Sequence, residues 1–419
     1  MSLNKVLIIG TVWPEPKSTA AGNRMLQIIE QLQHQDFEIV FACAAAFGEF
    51  SFDLKSINVE MVAIELNNSN FDDFILNLKP TIVIFDRFMI EEQFGWRIAE
   101  NCPNCLRILD TEDLHFVRNT RFENFKKQKI TTENDYLKSD LAKREIASIY
   151  RCDISLIISE VEMEILTKTF GINEKILHYL PFLLNEIKEN DFDGFPTFTE
   201  RQNFVTIGNF RHEPNWNAVL YLKEILWPLI KKQLPEAEMH IYGSYVTEKA
   251  MQLHNQKDGF LVKGRAENAQ EMIKNAKVLL APIRFGAGIK GKLTDAMQCG
   301  TPSVTTTIGA EGMIEIASNL AMTKWSGKIT DNPNDFAIAA IELFSDENLW
   351  KMAQKNGIEI INNRYNATAF GKLFIDKIMA TQNSLENHRT HNFIGEMLQM
   401  QTLKSTKYMS KWIEEKNKS

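Results

Sequence analysis

The chain has no apolar run of the roughly 18–20 residues that a membrane-spanning helix needs. Its longest early apolar run, 6–13, is also too short for a signal-peptide core and carries no small-residue cleavage site, so it reads as a buried strand. Cysteine is scarce: five residues in 419, an odd and sparse set that cannot make a disulfide framework. Cys102 and Cys105 have CxxC spacing, but a zinc site needs two more ligands and none stands at a matching distance, so reduced structural thiols are expected. Positive charge is not in excess either. Lys and Arg total 47 against 54 Asp and Glu, a net charge of −7, which argues against a broad nucleic-acid footprint. What remains is an ordinary globular balance, 44% hydrophobic and 24% charged, at a length that predicts two or three domains. The expected location is the cytoplasm.

Short apolar runs alternate with amphipathic stretches along the first half. Strands are expected at 6–10, 37–43, 59–66, 81–85, 107–109 and 154–158, with helices at 23–33 and 71–78 and partly helical structure in the polar stretch 118–144. Strands separated by helices imply parallel βαβ units and a doubly wound sheet. Segment 182–203 is polar, has no period and reads as an interdomain connection. A second alternating set follows, with strands at 204–208, 238–243, 259–263, 278–282 and 303–306. Its helices are expected at 217–232, 247–255, 268–275, 292–298, 333–344 and 347–364. The expected organisation is an α/β domain at 1–185, a second α/β domain at 200–378 and a polar, helical tail at 379–419. His388 and His391 have HxxH spacing in that tail, but no carboxylate or cysteine cluster accompanies them, so they read as solvated.

The most informative segment is 284–295, which contains Gly286, Gly288, Lys290, Gly291, Lys292 and Asp295 between a strand and a helix. Backbone N–H groups at such a turn, with the helix dipole behind them, form an anion site, and glycine lets a phosphate approach the backbone closely. Two specific patterns overlap it. Gly286, Gly288 and Gly291 spell GxGxxG, but that dinucleotide fingerprint belongs at the first βα turn of its domain, whereas this is the fourth strand of the second half. Gly286 through Lys292 also spell a P-loop up to its last position, where Leu293 replaces the Mg²⁺-binding hydroxyl. Thr294 is off by one, about 100° around the helix.

With these residues in view, the chain resembles GT-B glycosyltransferases, in particular the nucleotide-sugar-dependent family 4, or group 1. The stretch 281–306 is similar to that family's donor-site signature. The segment with Gly10, Gly22 and Arg24 resembles its N-terminal glycine loop, and that with Gly208, Arg211 and Asn215 the opening of its C-terminal domain. The resemblance spans roughly residues 5–375. It implies two Rossmann-like doubly wound domains facing a cleft, a nucleoside-diphosphate sugar as substrate, and transfer with retention to a glycan or lipid-linked acceptor. No metal or bound cofactor is implied, so protein cations and backbone amides must stabilise the leaving diphosphate.

Carried over, the resemblance makes Lys290, Lys292 and Gly288 diphosphate contacts, Arg211 a second cation and Asp295 the ribose ligand in place of a glutamate. Arg265 falls where the base is held, Gly22 would approach the donor phosphate, and Glu311 follows the last donor-domain strand. The acidic loop with Asp113 and His115 resembles the acceptor-side loop, His115 relaying a proton or holding the sugar and Asp113 orienting it. Ala287 stands where the family often has a sugar-contacting glutamate. That departure keeps two other readings open: a degenerate GT-B glycan-binding protein, and a GT-B-fold nucleotide-sugar epimerase. Trp13 reads equally as a pocket wall or a buried loop anchor. The basic run with Arg118, Arg121, Lys126, Lys127 and Lys129 reads as a solvated helix, and peripheral contact at the inner membrane face stays open.

Overall fold

A computed structural model describes residues 5–314 and 324–418. The chain forms two compact units, the first comprising Met1–Pro16, Ala21–Phe182 and Ala369–Ser419 and the second Lys17–Ala20 and Leu183–Thr368.

The first unit is built on seven parallel strands: β1 (Lys5–Gly10), β2 (Glu38–Cys43), β3 (Glu60–Ala63), β4 (Ile82–Asp86), β5 (Leu106–Asp110), β6 (Ile154–Ile157) and β7 (Leu177–Tyr179). They lie in the order β3-β2-β1-β4-β5-β6-β7. Val6, Leu7, Ile8 and Ile9 of β1 are all fully buried. Such an unbroken apolar run suits a central parallel strand with helices on both faces. The order reverses between β1 and β4, and ligands of open α/β sheets bind outside the carboxyl ends of the strands at such a switch point.

The second unit repeats the plan with β8 (Gln202–Ile207), β9 (Met239–Tyr242), β10 (Phe260–Gly264), β11 (Ala276–Ala281), β12 (Ser303–Thr305) and β13 (Gly327–Ile329). Their order is β10-β9-β8-β11-β12-β13, all parallel, with the switch point between β8 and β11. The long helix expected at 217–232 is interrupted: Glu213–Tyr221 passes through a π-turn at Leu222–Leu226 into Trp227–Gln233. Pro228 lacks the N–H that an uninterrupted ladder requires, and the wider turn accommodates it. The helix expected at 247–255 is a single turn, Glu248–Met251.

The polar stretch at the end of the sequence is helical, and residues 369–418 belong to the first unit. Arg389 anchors it there. Its Nε donates to Asp153 Oδ1 at 2.7 Å, and its Nη2 donates to Asp153 Oδ2 at 2.8 Å and to the Cys105 carbonyl at 2.7 Å. His388 Nε2 lies 2.7 Å from the Asp153 carbonyl. Burial alone would raise the Asp153 carboxyl, but Arg389 and Arg107 outweigh it and hold the group below its ordinary range. His391 is exposed, and its Nδ1 is bonded to the Asn387 carbonyl of its own helix.

Candidate functional site

The glycine loop of the second unit runs from the end of β11 to the helix Gly291–Gln298, at the switch point. Gly288 has φ of +62°, a left-handed value that a side chain would strain. The Lys290 ammonium folds back to donate to the Gly288 carbonyl at 2.7 Å. Thr294 Oγ1 donates to the Gly291 carbonyl at 2.8 Å, so the hydroxyl next to the P-loop position held by Leu293 is bonded inside its own helix.

Lys292 is the centre of the site. Its ammonium donates to Asn215 Oδ1 at 2.9 Å. Asn215 opens the helix after β8, and its amide donates in turn to the Asn209 carbonyl at 3.2 Å. Gly208 makes room for that amide, since a Cβ on it would come within 2.7 Å of the Asn215 side chain. Burial pushes the Lys292 ammonium down to about 8, with Asp295 partly offsetting it. Burial pushes the Asp295 carboxyl, one turn further on, up to about 7, and Lys292 partly offsets that. Each group lacks enough opposite charge to be fully ionised near neutrality. A bound polyanion would restore the charged form of Lys292.

Arg211 follows β8 and is exposed, with its guanidinium 4.1 Å from the centre of the Tyr245 ring. Arg265 is exposed just after Gly264 at the end of β10, and Glu311 closes the short helix Thr307–Ala310 after β12. Arg211, Arg265, Gly288, Lys290, Lys292, Asp295 and Glu311 thus all follow strands onto the carboxyl edge of one sheet. Asn215, the partner of Lys292, stands near the position where the resembled family usually has a lysine after this strand. An asparagine carries no chemistry of its own to mark it.

In the first unit the acidic loop belongs to a larger cluster. Asp86, Arg87, Asp110 and Glu112 lie at the carboxyl ends of β4 and β5, beside the switch point. The Thr11 N–H donates to Asp86 Oδ2 at 2.9 Å. Arg24 is buried; its Nε donates to Asp110 Oδ1 at 3.0 Å and its Nη1 to the Leu180 carbonyl at 2.8 Å. Arg87 and Glu112 adopt φ of +73° and +63°, left-handed values held in non-glycine residues, of the kind that cluster at functional sites. Burial raises the Asp110 carboxyl, against the pull of Arg24. Burial and the charges of Asp110 and Asp86 push Glu112 up to about 8, with Arg87 and Arg24 partly offsetting them.

His115 begins the helix His115–Lys126. Two buried glutamates already serve that helix start: Glu145 accepts the His115 and Phe116 N–H groups at 3.1 and 2.9 Å, and Glu162 accepts the Leu114 N–H at 2.9 Å. Nδ1 of His115 lies 3.0 Å from the Asp113 carbonyl, which can only accept, so Nδ1 carries a proton; Asp113 Oδ1 and Glu145 Oε1 each lie 3.5 Å from the same nitrogen. The nearer partner of the ring is therefore the Asp113 backbone; the Asp113 carboxylate is bonded to Arg118. Gly22 has a packing reason to be glycine, because a Cβ there would lie 2.5 Å from the Glu15 backbone. Trp13 is buried and donates to the Ala45 carbonyl at 2.8 Å, an anchored loop residue. The basic run is largely paired, Lys126 with Glu123 and Lys129 with Asp135.

Both sheets and both switch points define a GT-B fold. The structure of Anabaena Alr3699/HepE in complex with UDP and glucose aligns over 90% of this chain and 99% of that one, with a TM-score of 0.64 at 11% identity. Sucrose-phosphate synthase from Thermosynechococcus elongatus aligns over 91% and 100%, with a TM-score of 0.66 at 13% identity. TarM from S. aureus, solved with fondaparinux, alpha-GlcNAc-glycerol and UDP, aligns over 90% and 100%, with a TM-score of 0.67 at 11% identity. Residues 201–346, most of the second unit, match the family model described as Glycosyl transferases group 1. No curated protein matches the chain significantly.

Proposed function

We propose that the protein is a retaining, family 4 glycosyltransferase that moves a sugar from a nucleoside diphosphate to a glycan or lipid-linked acceptor. The observation that carries this is the second unit's switch point, where Lys292 sits in the first turn of a helix and is held by Asn215. The ammonium, the glycine-loop amides and the helix dipole together suit a diphosphate. Asp295 takes the ribose, Arg211 and Lys290 add cationic contacts, and Glu311 faces the sugar. Arg265, with the backbone around Gly264, meets the base, and Gly22 is assigned to the donor phosphate by its place in the N-terminal glycine loop. On the acceptor side, Nε2 of His115 accepts a hydrogen bond from a sugar hydroxyl, with its tautomer set by the Asp113 carbonyl. No metal or resident cofactor takes part in this reading; the nucleotide sugar is the substrate. Polysaccharide biosynthesis and peripheral contact with the inner face of a membrane fit a lipid-linked acceptor.

A thermal-shift screen of UDP-, GDP- and ADP-sugars tests the donor class, since a bound donor raises the melting temperature by mass action. No stabilisation by any of them would contradict the reading. Ala287, where a sugar-contacting glutamate is usual in the resembled family, favours a second reading as a glycan-binding protein without transfer. Nucleotide release that is lost on His115→Ala, with donor binding intact, would exclude it. An epimerase would instead turn over the donor with no acceptor present.

A further inference from the structure

The last helix, Phe393–Lys418, meets the protein through a mixed face on which small and polar residues stand beside half-buried Leu398 and Ile413. Gly395, Gln399, Thr406 and Ser410 recur at helical spacing on one face. Gly395 passes so close to the helix Asp140–Arg151 that a Cβ would lie 2.2 Å from the Tyr150 carbonyl. Gln399 donates to the Arg151 carbonyl at 2.9 Å, and Ser410 accepts from Arg97 at 3.3 Å. Glu414 accepts from the Ser69 hydroxyl at 2.6 Å. The opposite face carries Phe393, Met397, Met400, Tyr408 and Trp412, all exposed, with Phe393 71% and Trp412 60% accessible. An ordinary surface helix carries few large apolar side chains on its solvent face.

We propose that this outward face docks on an anionic lipid bilayer, with the helix lying in the interface plane. The lysines choose the occupant. Lys404 falls between Met400 and Tyr408, four residues from each, and Lys411 follows three residues later; both are exposed. The core of a protein–protein interface is depleted in lysine, and burying two ammonium groups among Phe and Met side chains is costly. At a bilayer surface the same stems lie along the acyl boundary and their ammonium groups reach lipid phosphates, while Trp and Tyr rings settle at headgroup depth. The segment carries five lysines against three glutamates, although the whole chain has a net charge of −7. Glu414 faces inward and Glu415 pairs with Lys418 at 3.3 Å. No helix among the described residues is long and apolar enough to cross a membrane, so the contact is peripheral.

This deepens the membrane contact named above and is independent of the transferase chemistry. The test is sedimentation of the full chain with vesicles of phosphatidylcholine alone or mixed with phosphatidylglycerol. Binding to the anionic vesicles is expected to be about tenfold or more the tighter. A Phe393→Ser/Trp412→Ser variant and a Lys404→Gln/Lys411→Gln variant should each lose about tenfold of that binding. Melting temperature, mass in solution and nucleoside-diphosphate affinity should not change. No binding of the unaltered chain to anionic vesicles overturns the proposal, as does binding insensitive to both variants. A dimer that Phe393→Ser/Trp412→Ser dissolves would give the face to a second copy and overturn it too. Failure of the transferase reading would appear separately, as absent nucleotide affinity with vesicle binding intact.

Discussion

Glu112 shows what a single carboxyl costs when it is desolvated beside other carboxylates. Its folded value near 8 lies above the ordinary 4.5, so the folded state binds the extra proton and stability falls as pH rises between the two. Glu112→Gln should therefore stabilise the protein at pH 8, by about 2 kcal/mol, and have little effect at pH 5, as read in denaturant titrations. Asp153 behaves oppositely. Its carboxyl is held low by Arg389 and Arg107, so its contribution is present at neutral pH and disappears as pH falls through that lowered value. Arg389→Ala removes the bidentate partner of a buried carboxylate and leaves it only Arg107, so it should cost about 2 kcal/mol at pH 7 in the same titrations, with less lost in acid. Asp110 and Glu112 were legible as part of an acidic loop after a strand, but their partners were not. Asp86, Arg87, Asp110 and Glu112 come from two strand ends more than twenty positions apart, and Asp153 meets Arg389 from the far end of the chain. Only the sheet order and the return of the last helices bring them together.

At the scale of elements, much was legible. The strands announced themselves because parallel strands covered on both faces are continuous apolar runs, as in 6–10 and 82–85. The glycine loop was visible because its residue types are those an anion site demands. Pro228 was a visible warning in the helix expected at 217–232, yet whether a proline ends a helix or is absorbed by a π-turn depends on the packing of Leu222, Leu226 and Trp227 in the core. The sequence places Gly22 for phosphate approach, and the structure supplies a packing role through Glu15. Gly22→Ala should cost about 1–3 kcal/mol by overpacking. If packing is its whole role, nucleoside-diphosphate affinity measured alongside will be unchanged; a lost affinity would return Gly22 to the donor.

At the scale of the molecule, two sheets with their own cores predict two responses. In calorimetry, Arg389→Ala should lower the transition of the first unit, while a nucleoside diphosphate should raise that of the second. The sequence period revealed two α/β halves but could not reveal that residues 369–418 return to the first, because an inward face so mixed with small and polar residues reads as a solvated one. The central claim is that Lys292 holds a diphosphate, and isothermal titration of a nucleoside diphosphate tests it most directly. Near pH 8 the complex should take up protons, seen as a binding enthalpy that varies with the buffer's ionisation enthalpy, because the anion restores the charged ammonium. Lys292→Ala should abolish that uptake and weaken affinity about tenfold to a hundredfold. Unchanged affinity in the variant, or a buffer-independent enthalpy in the unaltered protein, would contradict the account.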